Sequence, residues 1–193
     1  MKVIILMKEP LDNGAGSYRR FLAGDENAAG EIMNELFYKL VYFVDRYVHD
    51  VPAAEDIAMD VMSDLFVYRH RYNFKVSLKT YVFMRGKSKA LDLLRRRRKL
   101  VMTGLNEAEE VSGEHDELES RVLVSERQRA VRAALGKLPE PMREAVHLVY
   151  FEELSYDEAA RVMGMKPKQV DNLLYRAKKE LRSALGEEGK ELL

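Results

Sequence analysis

The chain contains no cysteine and no tryptophan among its 193 residues. The absence of cysteine excludes disulfides, thiolate zinc sites and cysteine nucleophiles, and it suits a reducing compartment. Long apolar runs are also missing, because the amino-terminal MKVIILMKEP closes its short apolar stretch with charges and a proline. A membrane span needs about 20 apolar residues. We therefore expect a cytoplasmic protein without membrane insertion.

Helix-breaking residues are scarce as well, with five prolines and eleven glycines. Apolar residues recur at every third or fourth position almost throughout, and no segment keeps the alternation typical of a strand. The spacing predicts helices over residues 31–48, 53–69 and 78–99, a loop over 70–77 and further helices from residue 122. We predict an all-α fold of two small helical domains.

Charge divides the chain although the net charge is zero, with 32 basic and 32 acidic residues. Nearly every charge between residues 85 and 99 is positive, and every charge between 107 and 119 is negative. The acidic segment favours a mobile linker, although an exposed helix would carry the same charges.

The segment LDNGAGS, around residues 12–17, is typical of a flexible leader. The expected order of the whole chain is a leader (1–16), a helical bundle (17–101), an acidic linker (102–121), a helix-turn-helix domain (122–186) and a tail (187–193).

The segment RRRRK lies at the end of the third predicted helix. Such clusters often bind phosphates, but they also occur as solvated helix ends. Cations suit a helix carboxyl terminus, and Asp92 can pair with Arg95 or Arg96 one turn away. Neither local role needs so many charges. The surplus favours a nucleic-acid contact made by Arg95, Arg96, Arg97 and Arg98.

The stretch LSYDEAARVMGMKPKQVDNLLYRAKKEL has the spacing of a helix-turn-helix. Ser155 and Glu158 fit a capping box, which starts the first helix. Gly164 suits the turn, and Pro167 suits the first turn of the second helix. The second helix is expected to bury an apolar side formed by Val170, Leu173, Leu174, Ala177 and Leu181.

The opposite side of this second helix suits the DNA major groove. Gln169 and Asn172 can pair with adenine edges, and Asp171 can accept a hydrogen bond from cytosine. Basic side chains on the same helix can hold phosphates. An ordinary helical hairpin with a solvated polar face would show the same pattern, so both interpretations stay open. The candidate contacts are Lys166, Lys168, Gln169, Asp171, Asn172, Tyr175, Arg176, Lys178 and Lys179.

Aromatic and basic residues alternate irregularly between residues 72 and 89. Aromatics among cations suit single-stranded bases, because each stacked base contributes about 1–3 kcal/mol and the cations follow the backbone. Phe74 and Tyr81 would serve equally well in a core. The candidates are Tyr72, Lys75, Lys79, Tyr81, Arg85, Lys87 and Lys89.

A stripe of carboxylates at helical spacing comprises Glu55, Asp56, Asp60 and Asp64. It fits a solvated face or a contact with a protein partner, and a metal site is disfavoured because no histidine joins it. The histidines are scattered, and the sequence has no HExxH, no phosphate-binding glycine loop and no nucleophile elbow. We expect no enzyme activity, no cofactor, no metal and no small-molecule substrate.

The segment LPEPMREAVHLVYFEELSYDEAARVMG resembles the sigma-70 class of bacterial RNA polymerase sigma factors, specifically the two-domain extracytoplasmic-function (ECF) type. The segments FLAGDENAA, PAAEDIAMDV and SLKTYVFMRGKSKALDLLRRRRK resemble the first domain of that family. The resemblance runs in the right order from Tyr18 to Leu185. Ser88 stands where the family typically has asparagine, and Tyr81 where tryptophan is usual.

The resemblance implies two partners, core RNA polymerase and promoter DNA, the latter both as duplex and as melted single strand. The first domain would contact polymerase through the carboxylate stripe and hold the minus-ten element, with Ser88 among its contacts. The second domain would read the minus-thirty-five element. Members of the family are commonly held by an anti-sigma factor. The alternatives are a helix-turn-helix regulator that acts without polymerase and an inert helical interaction module.

Overall fold

The structure, a computed structural model, describes residues 14–103 and 126–185. Within these two ranges the chain forms helices and short connections and no strand, which confirms the all-α prediction. The chain divides into two compact units, residues 1–109 and 110–193. The predicted tail, and nearly all of the predicted leader and acidic linker, lie outside the described residues.

The first unit contains the helices α1 (Ala15–Leu22), α2 (Asn27–Val48), α3 (Val51–Val67) and α4 (Leu78–Met102). Helix α2 is central, since it packs against each of the other three. Its buried stripe repeats every fourth residue, as the sequence predicts. That stripe contains Ile32, Leu36, Leu40, Val44 and Val48.

Helix α1 corrects the expectation of a flexible leader that reaches residue 17. Ala15 and Ser17 belong to the first turn of this helix. The reason is burial, because Tyr18 is fully buried and Phe21 nearly so. The Tyr18 hydroxyl donates to the carbonyl oxygens of Leu65 at 2.9 Å and Arg69 at 3.2 Å. Leu65 lies in the last turn of α3, where carbonyl groups lack partners within the helix, and Arg69 follows two residues after the helix ends.

Side-chain caps fix the starts of α3 and α4. Asp50 accepts a hydrogen bond from the Ala53 backbone N–H at 3.1 Å, and Ser77 accepts one from Thr80 at 3.2 Å. Each cap satisfies a donor that the first helical turn leaves unpaired, and such caps contribute about 1 kcal/mol each. Residues 68–77 connect the two helices, so the loop predicted over residues 70–77 is present and begins two residues earlier.

The second unit contains the helices α5 (Glu126–Lys137), α6 (Glu140–Val146), α7 (Tyr156–Met163) and α8 (Pro167–Leu185). A π-helical turn, His147–Phe151, follows α6 directly. Helix α8 packs against α5, α6 and α7, so it organises this unit. The π-helical turn is a finding of the structure that the sequence patterns do not predict.

The predicted helix-turn-helix is present in the second unit. The Ser155 hydroxyl accepts from the Glu158 backbone N–H at 3.3 Å, and the Glu158 carboxylate accepts from the Ser155 backbone N–H at 3.0 Å. This is the predicted capping box at the start of α7. Gly164 ends α7 with a φ of 71°, a left-handed conformation that glycine adopts without a steric penalty.

Candidate nucleic-acid interface

Helix α8 presents a polar face away from the core of its unit. Val170, Leu174, Ala177 and Leu181 are buried as predicted, whereas Leu173 is only half-buried and marks the border of the apolar side. The predicted contacts lie on the accessible side. Lys166, Lys168, Gln169, Asn172, Tyr175, Arg176 and Lys179 are exposed, and Asp171 and Lys178 are half-buried.

Three polar side chains in the first turns of α8, those of Lys168, Gln169 and Asp171, have contacts within the chain. The Gln169 side-chain oxygen accepts from the Lys166 backbone N–H at 2.8 Å. The Lys168 ammonium donates to the Asp171 carboxylate at 2.7 Å, and this hydrogen bond raises the pKa of Lys168 above its usual value. Both contacts lie in the first turns of α8, at the end that a helix-turn-helix directs into the groove.

Tyr150 is a residue of this surface that the sequence patterns do not reveal. It lies on the π-helical turn, and the Lys178 ammonium is 5.4 Å from its ring centroid. A hydrogen bond with the Tyr150 hydroxyl raises the pKa of Lys178. The contact keeps the Lys178 charge at the border of the α8 face, where it can serve a phosphate.

The arginine block of α4 divides into two groups. Arg95 pairs with Asp92 at 2.6 Å, which agrees with the local pairing that the sequence predicts, and Arg97 pairs with Asp50 at 2.7 Å. Arg96 and Arg98 are exposed, and neither has an ion-pair partner among residues 14–103 and 126–185. These two guanidinium groups are therefore accessible to phosphates.

A groove of about 800 Å³ separates α3 from α4 and carries charges of both signs. Lys89 lies between Asp60 and Asp64, at 3.2 Å and 3.3 Å from their carboxylates. Arg85, which lies on α4 as Lys89 does, is 3.9 Å from the Asp64 carboxylate. The groove is lined by Asp56, Asp60, Arg85, Lys89, Asp92, Arg96 and Arg97, together with apolar side chains.

The carboxylates of the stripe on α3 also differ in whether they have ion-pair partners. Glu55 and Asp56 are exposed, and no ion-pair partner within the described ranges contacts them. Asp60 is also exposed, whereas Asp64 is half-buried against the cations of α4. No group of three or more histidine or carboxylate side chains within the described ranges is arranged to hold a metal ion.

The predicted single-strand contacts lie around the loop between α3 and α4. Tyr72 and Lys79 differ from the prediction, because they are only 3% and 6% exposed. The Tyr72 hydroxyl donates to the Val76 carbonyl at 2.8 Å, and its ring packs against Tyr81 with centroids 5.2 Å apart. In this conformation neither Tyr72 nor Lys79 is accessible to DNA, because both side chains are packed into the unit.

The remaining candidates of this set reach the surface. Lys75 and Ser88 are exposed, and Tyr81, Arg85 and Lys87 are half-buried. Lys87 lies over the Tyr47 ring at 5.6 Å from its centroid. Phe74 is 37% exposed and has a φ of 60°, which is unusual for a residue with a side chain.

Two further arginines, which no sequence pattern singles out, stack on aromatic rings of the same unit. Arg19 lies 5.0 Å from the Phe74 centroid, and Arg69 lies 4.7 Å from the Phe21 centroid. Cation–π contacts of this kind stabilise by about 0.5–1 kcal/mol at exposed sites. Their partners are far apart in sequence, so no local pattern could have predicted them.

One unit has a basic helix and the other has a helix-turn-helix, and this combination is typical of DNA-binding proteins. Residues 19–100 match the family described as Sigma-70 region 2, and residues 128–181 match Sigma-70, region 4. The chain belongs to the sigma-70 family of RNA polymerase sigma factors.

No helix in the described ranges is long and apolar enough to cross a membrane.

Relatives extend this similarity over most of the chain. The RNA polymerase sigma-H factor of Pseudomonas aeruginosa is 27% identical over 177 residues, which cover 86% of this chain and 90% of that protein. The ECF RNA polymerase sigma factor SigE of Mycolicibacterium smegmatis is 28% identical over 192 residues, which cover 95% of this chain and 72% of that protein.

Solved structures show the same fold. The sigma factor RpoE of Bartonella quintana, crystallised with the anti-sigma factor NepR, superimposes with a TM-score of 0.61 at 19% identity, covering 82% of this chain and 96% of that chain. CnrH in complex with the cytosolic domain of CnrY gives a TM-score of 0.58 at 19% identity, covering 91% of this chain and 97% of that chain.

The predicted function is confirmed at the level of the family. The chain is a sigma factor of the ECF type, which binds core RNA polymerase and directs promoter recognition and transcription initiation. Its partners are core RNA polymerase and promoter DNA.

Proposed function

We propose that this sigma factor divides its work between three surfaces. The exposed carboxylates of α3 contact core polymerase, the cations of α4 hold the backbone of the minus-ten region, and the polar face of α8 reads the minus-thirty-five element. The observation that supports this division is the segregation of charge between α3 and α4, because accessible acids and accessible arginines stand on neighbouring helices.

Core polymerase contact is assigned to Glu55, Asp56 and Asp60 because these carboxylates reach solvent. Asp64 belongs to the same stripe, and its contacts with Lys89 and Arg85 add a second role in orienting α4. Charged groups at the rim of an interface set specificity and association rate, since like charges brought together cost several kcal/mol.

Promoter contact in the first unit is assigned to the accessible cations. The set contains Arg96 and Arg98 of α4, which are exposed, and Arg85 and Lys87 of α4, which are half-buried. Lys75, an exposed cation of the loop before α4, is added to them. Each phosphate that they neutralise releases counterions, so binding weakens as salt rises. Tyr81 and Phe74 are aromatic groups of this surface that retain accessible area for stacking.

The remaining features of the proposal follow from the family. The protein acts as a subunit of polymerase in the cytoplasm and performs no catalysis of its own. Its first domain comprises helices α1 to α4, its second domain comprises residues 122–186, and the acidic segment joins the two. Control by an anti-sigma factor is part of the proposal, and it is supported by a structural neighbour that is a sigma factor solved with the anti-sigma factor NepR.

The polymerase assignment is tested by charge reversal in the full chain. Glu55→Lys combined with Asp56→Lys is expected to weaken binding to core polymerase by about tenfold or more, which corresponds to about 1.4 kcal/mol. Glu26→Lys combined with Glu35→Lys is the matched control, because it reverses two exposed carboxylates of the same unit. Binding is measured by fluorescence anisotropy of labelled protein titrated with core. Equal weakening by the control variant would contradict the assignment to α3.

A further inference from the structure

The polar residues at the start of α8 are not equivalent, although Gln169 and Asn172 carry the same carboxamide group and could both pair with adenine. Gln169 follows Pro167, the first residue of α8, by two positions. Its side-chain oxygen accepts from the Lys166 backbone N–H at 2.8 Å. This is the glutamine half of a capping box, and it satisfies a donor just before the helix begins.

This contact limits what Gln169 can offer to a base. A bidentate contact with adenine requires the amide oxygen to accept from N6 while the amide nitrogen donates to N7. In Gln169 the oxygen is directed at the backbone of its own helix start. The paired donor and acceptor that adenine needs are therefore not presented together.

Asp171 is engaged as well. Its carboxylate accepts from the Lys168 ammonium at 2.7 Å, and both residues lie in the first turns of the helix. An exposed pair of this kind is weak and can rearrange. In the free protein it nevertheless holds the Asp171 carboxylate beside a cation, which offsets the negative charge that α8 would carry into the groove.

Asn172 differs from both. It is exposed, and no hydrogen bond within the described residues occupies its carboxamide. It lies one helical turn from Lys168 and one turn from Arg176, because residues four apart share a face of a helix. An intact amide with a cation on either side can read one base edge while its neighbours hold phosphates.

We propose that Asn172 is the specificity-determining residue of α8 and reads an adenine in the major groove, whereas Gln169 is a positioning residue that fixes the start of the helix. The proposal rests on the proposed function, in which the α8 face reads the minus-thirty-five element. It goes beyond that function by assigning base recognition and helix initiation to different side chains.

The test uses holoenzyme assembled from the full chain and core polymerase. The DNA is a genomic promoter fragment selected by that holoenzyme, with each base pair of the minus-thirty-five element changed in turn to the other three. Binding of the wild type and of Asn172→Ala, Gln169→Ala and Gln169→Glu is measured on every fragment. Gln169→Glu keeps an oxygen that can cap Lys166 but removes the amide donors.

Asn172→Ala is expected to remove about 5- to 150-fold of discrimination at one A·T pair and to leave the preferences at the other positions in place. Both Gln169 variants are expected to keep the ranking of bases at every position. Gln169→Ala is expected to fray the first turn of α8, which would speed hydrogen exchange at the first amides of this helix. Gln169→Glu is expected to restore the protection of these amides from exchange.

Two results overturn the inference. In the first, Gln169→Glu loses discrimination at a single base pair, whereas Asn172→Ala weakens binding to all fragments equally. The other is an unchanged base profile in Asn172→Ala while the wild type discriminates, which removes Asn172 as the reader and leaves the proposed function standing. A wild-type holoenzyme that shows no preference anywhere in the minus-thirty-five element overturns the proposed function and the inference together.

Discussion

Arg97 and Asp50 join two distant parts of the first unit, with the Arg97 guanidinium 2.7 Å from the Asp50 carboxylate. Asp50 also caps α3 through the Ala53 backbone N–H. One member of the arginine block therefore holds the start of the neighbouring helix. We propose that the block serves both folding and DNA binding, with the two roles carried by different residues.

The first prediction concerns the pH dependence of stability. The Ala53 N–H and then the Arg97 guanidinium hold the pKa of Asp50 below its ordinary value of 3.8. Ionised Asp50 is therefore favoured in the folded state. Its contribution is fully present above the pKa of the unfolded chain and is lost as the pH falls through the lower pKa of the folded state.

Asp50→Ala is accordingly expected to lower the free energy of unfolding by about 1 kcal/mol at pH 7. The deficit relative to the wild type should shrink as the pH falls below the ordinary value of 3.8, because the unfolded chain then binds a proton at Asp50 more readily than the folded protein does. The free energy of unfolding of both proteins is measured by urea unfolding followed by circular dichroism at several pH values. Asp50→Asn, which keeps a capping oxygen without the charge, is the control. A deficit that stays constant between about pH 7 and about pH 3 would exclude this role of the Asp50 charge.

The second prediction separates the arginines of α4. Arg97→Ala is expected to destabilise the first unit by about 1 kcal/mol, since it leaves the partly buried Asp50 carboxylate without its partner. Arg96→Ala and Arg98→Ala are expected to stay within about 0.5 kcal/mol of the wild type, as surface substitutions usually do. Thermal and urea unfolding of the full chain compare the three variants directly.

The same variants are expected to rank in the opposite order in DNA binding, where Arg96→Ala and Arg98→Ala should have larger effects than Arg97→Ala. Removal of the Arg96 or Arg98 side chain should reduce the slope of log affinity against log salt by about 0.7–0.9 for each phosphate that the side chain neutralises in the wild type. The measurement is a salt titration of holoenzyme on a promoter fragment. If Arg97→Ala lowered the slope most while leaving stability unchanged, the assignment of roles within the block would be wrong.

The third prediction concerns the contact between α2 and α4. A Cβ atom on Gly86 would lie 2.6 Å from the Leu40 Cδ1 atom and 3.2 Å from Val44 Cγ2, so the two helices approach closely there. Gly86→Ala is expected to destabilise the protein on balance. Overpacking costs about 1–3 kcal/mol, and the gain in helix propensity offsets only about 1 kcal/mol of that cost.

Gly30→Ala on α2 is the matched control for this prediction. Apart from its chain neighbours and the backbone of its own helix, no atom lies within 4 Å of the Cβ that this substitution would add. It should therefore stabilise the protein by up to about 1 kcal/mol through propensity alone. Comparison of the two unfolding midpoints in urea tests the close packing at Gly86, and equal midpoints for the two variants would refute it.

Features with a local physical cause could be predicted from the sequence. The four-residue repeat of α2 and the capping box at Ser155 indicate the positions of these helices, because periodicity and capping depend on neighbours in the chain. The turn at Gly164 is predictable for the same reason. The family resemblance then supplies the function, which no single helix could have indicated.

Features that depend on tertiary contacts could not be predicted in this way. Asp50 and Arg97 are separated by 47 positions, and nothing local links them. Tyr72 stands among cations in the sequence, yet it is buried because Tyr18, Phe74 and Tyr81 pack against its ring. The side chain of Gln169 can point outward or back toward the start of α8, and only the structure shows it bonded to the Lys166 backbone.

The most direct test of sigma activity is transcription from a promoter fragment selected from genomic DNA, with purified protein and core polymerase supplied separately and together. We predict specific initiation only when both are present, and specific promoter binding that requires core. Specific protection of the same site by the protein alone, or the absence of initiation on every genomic template, would contradict the assignment.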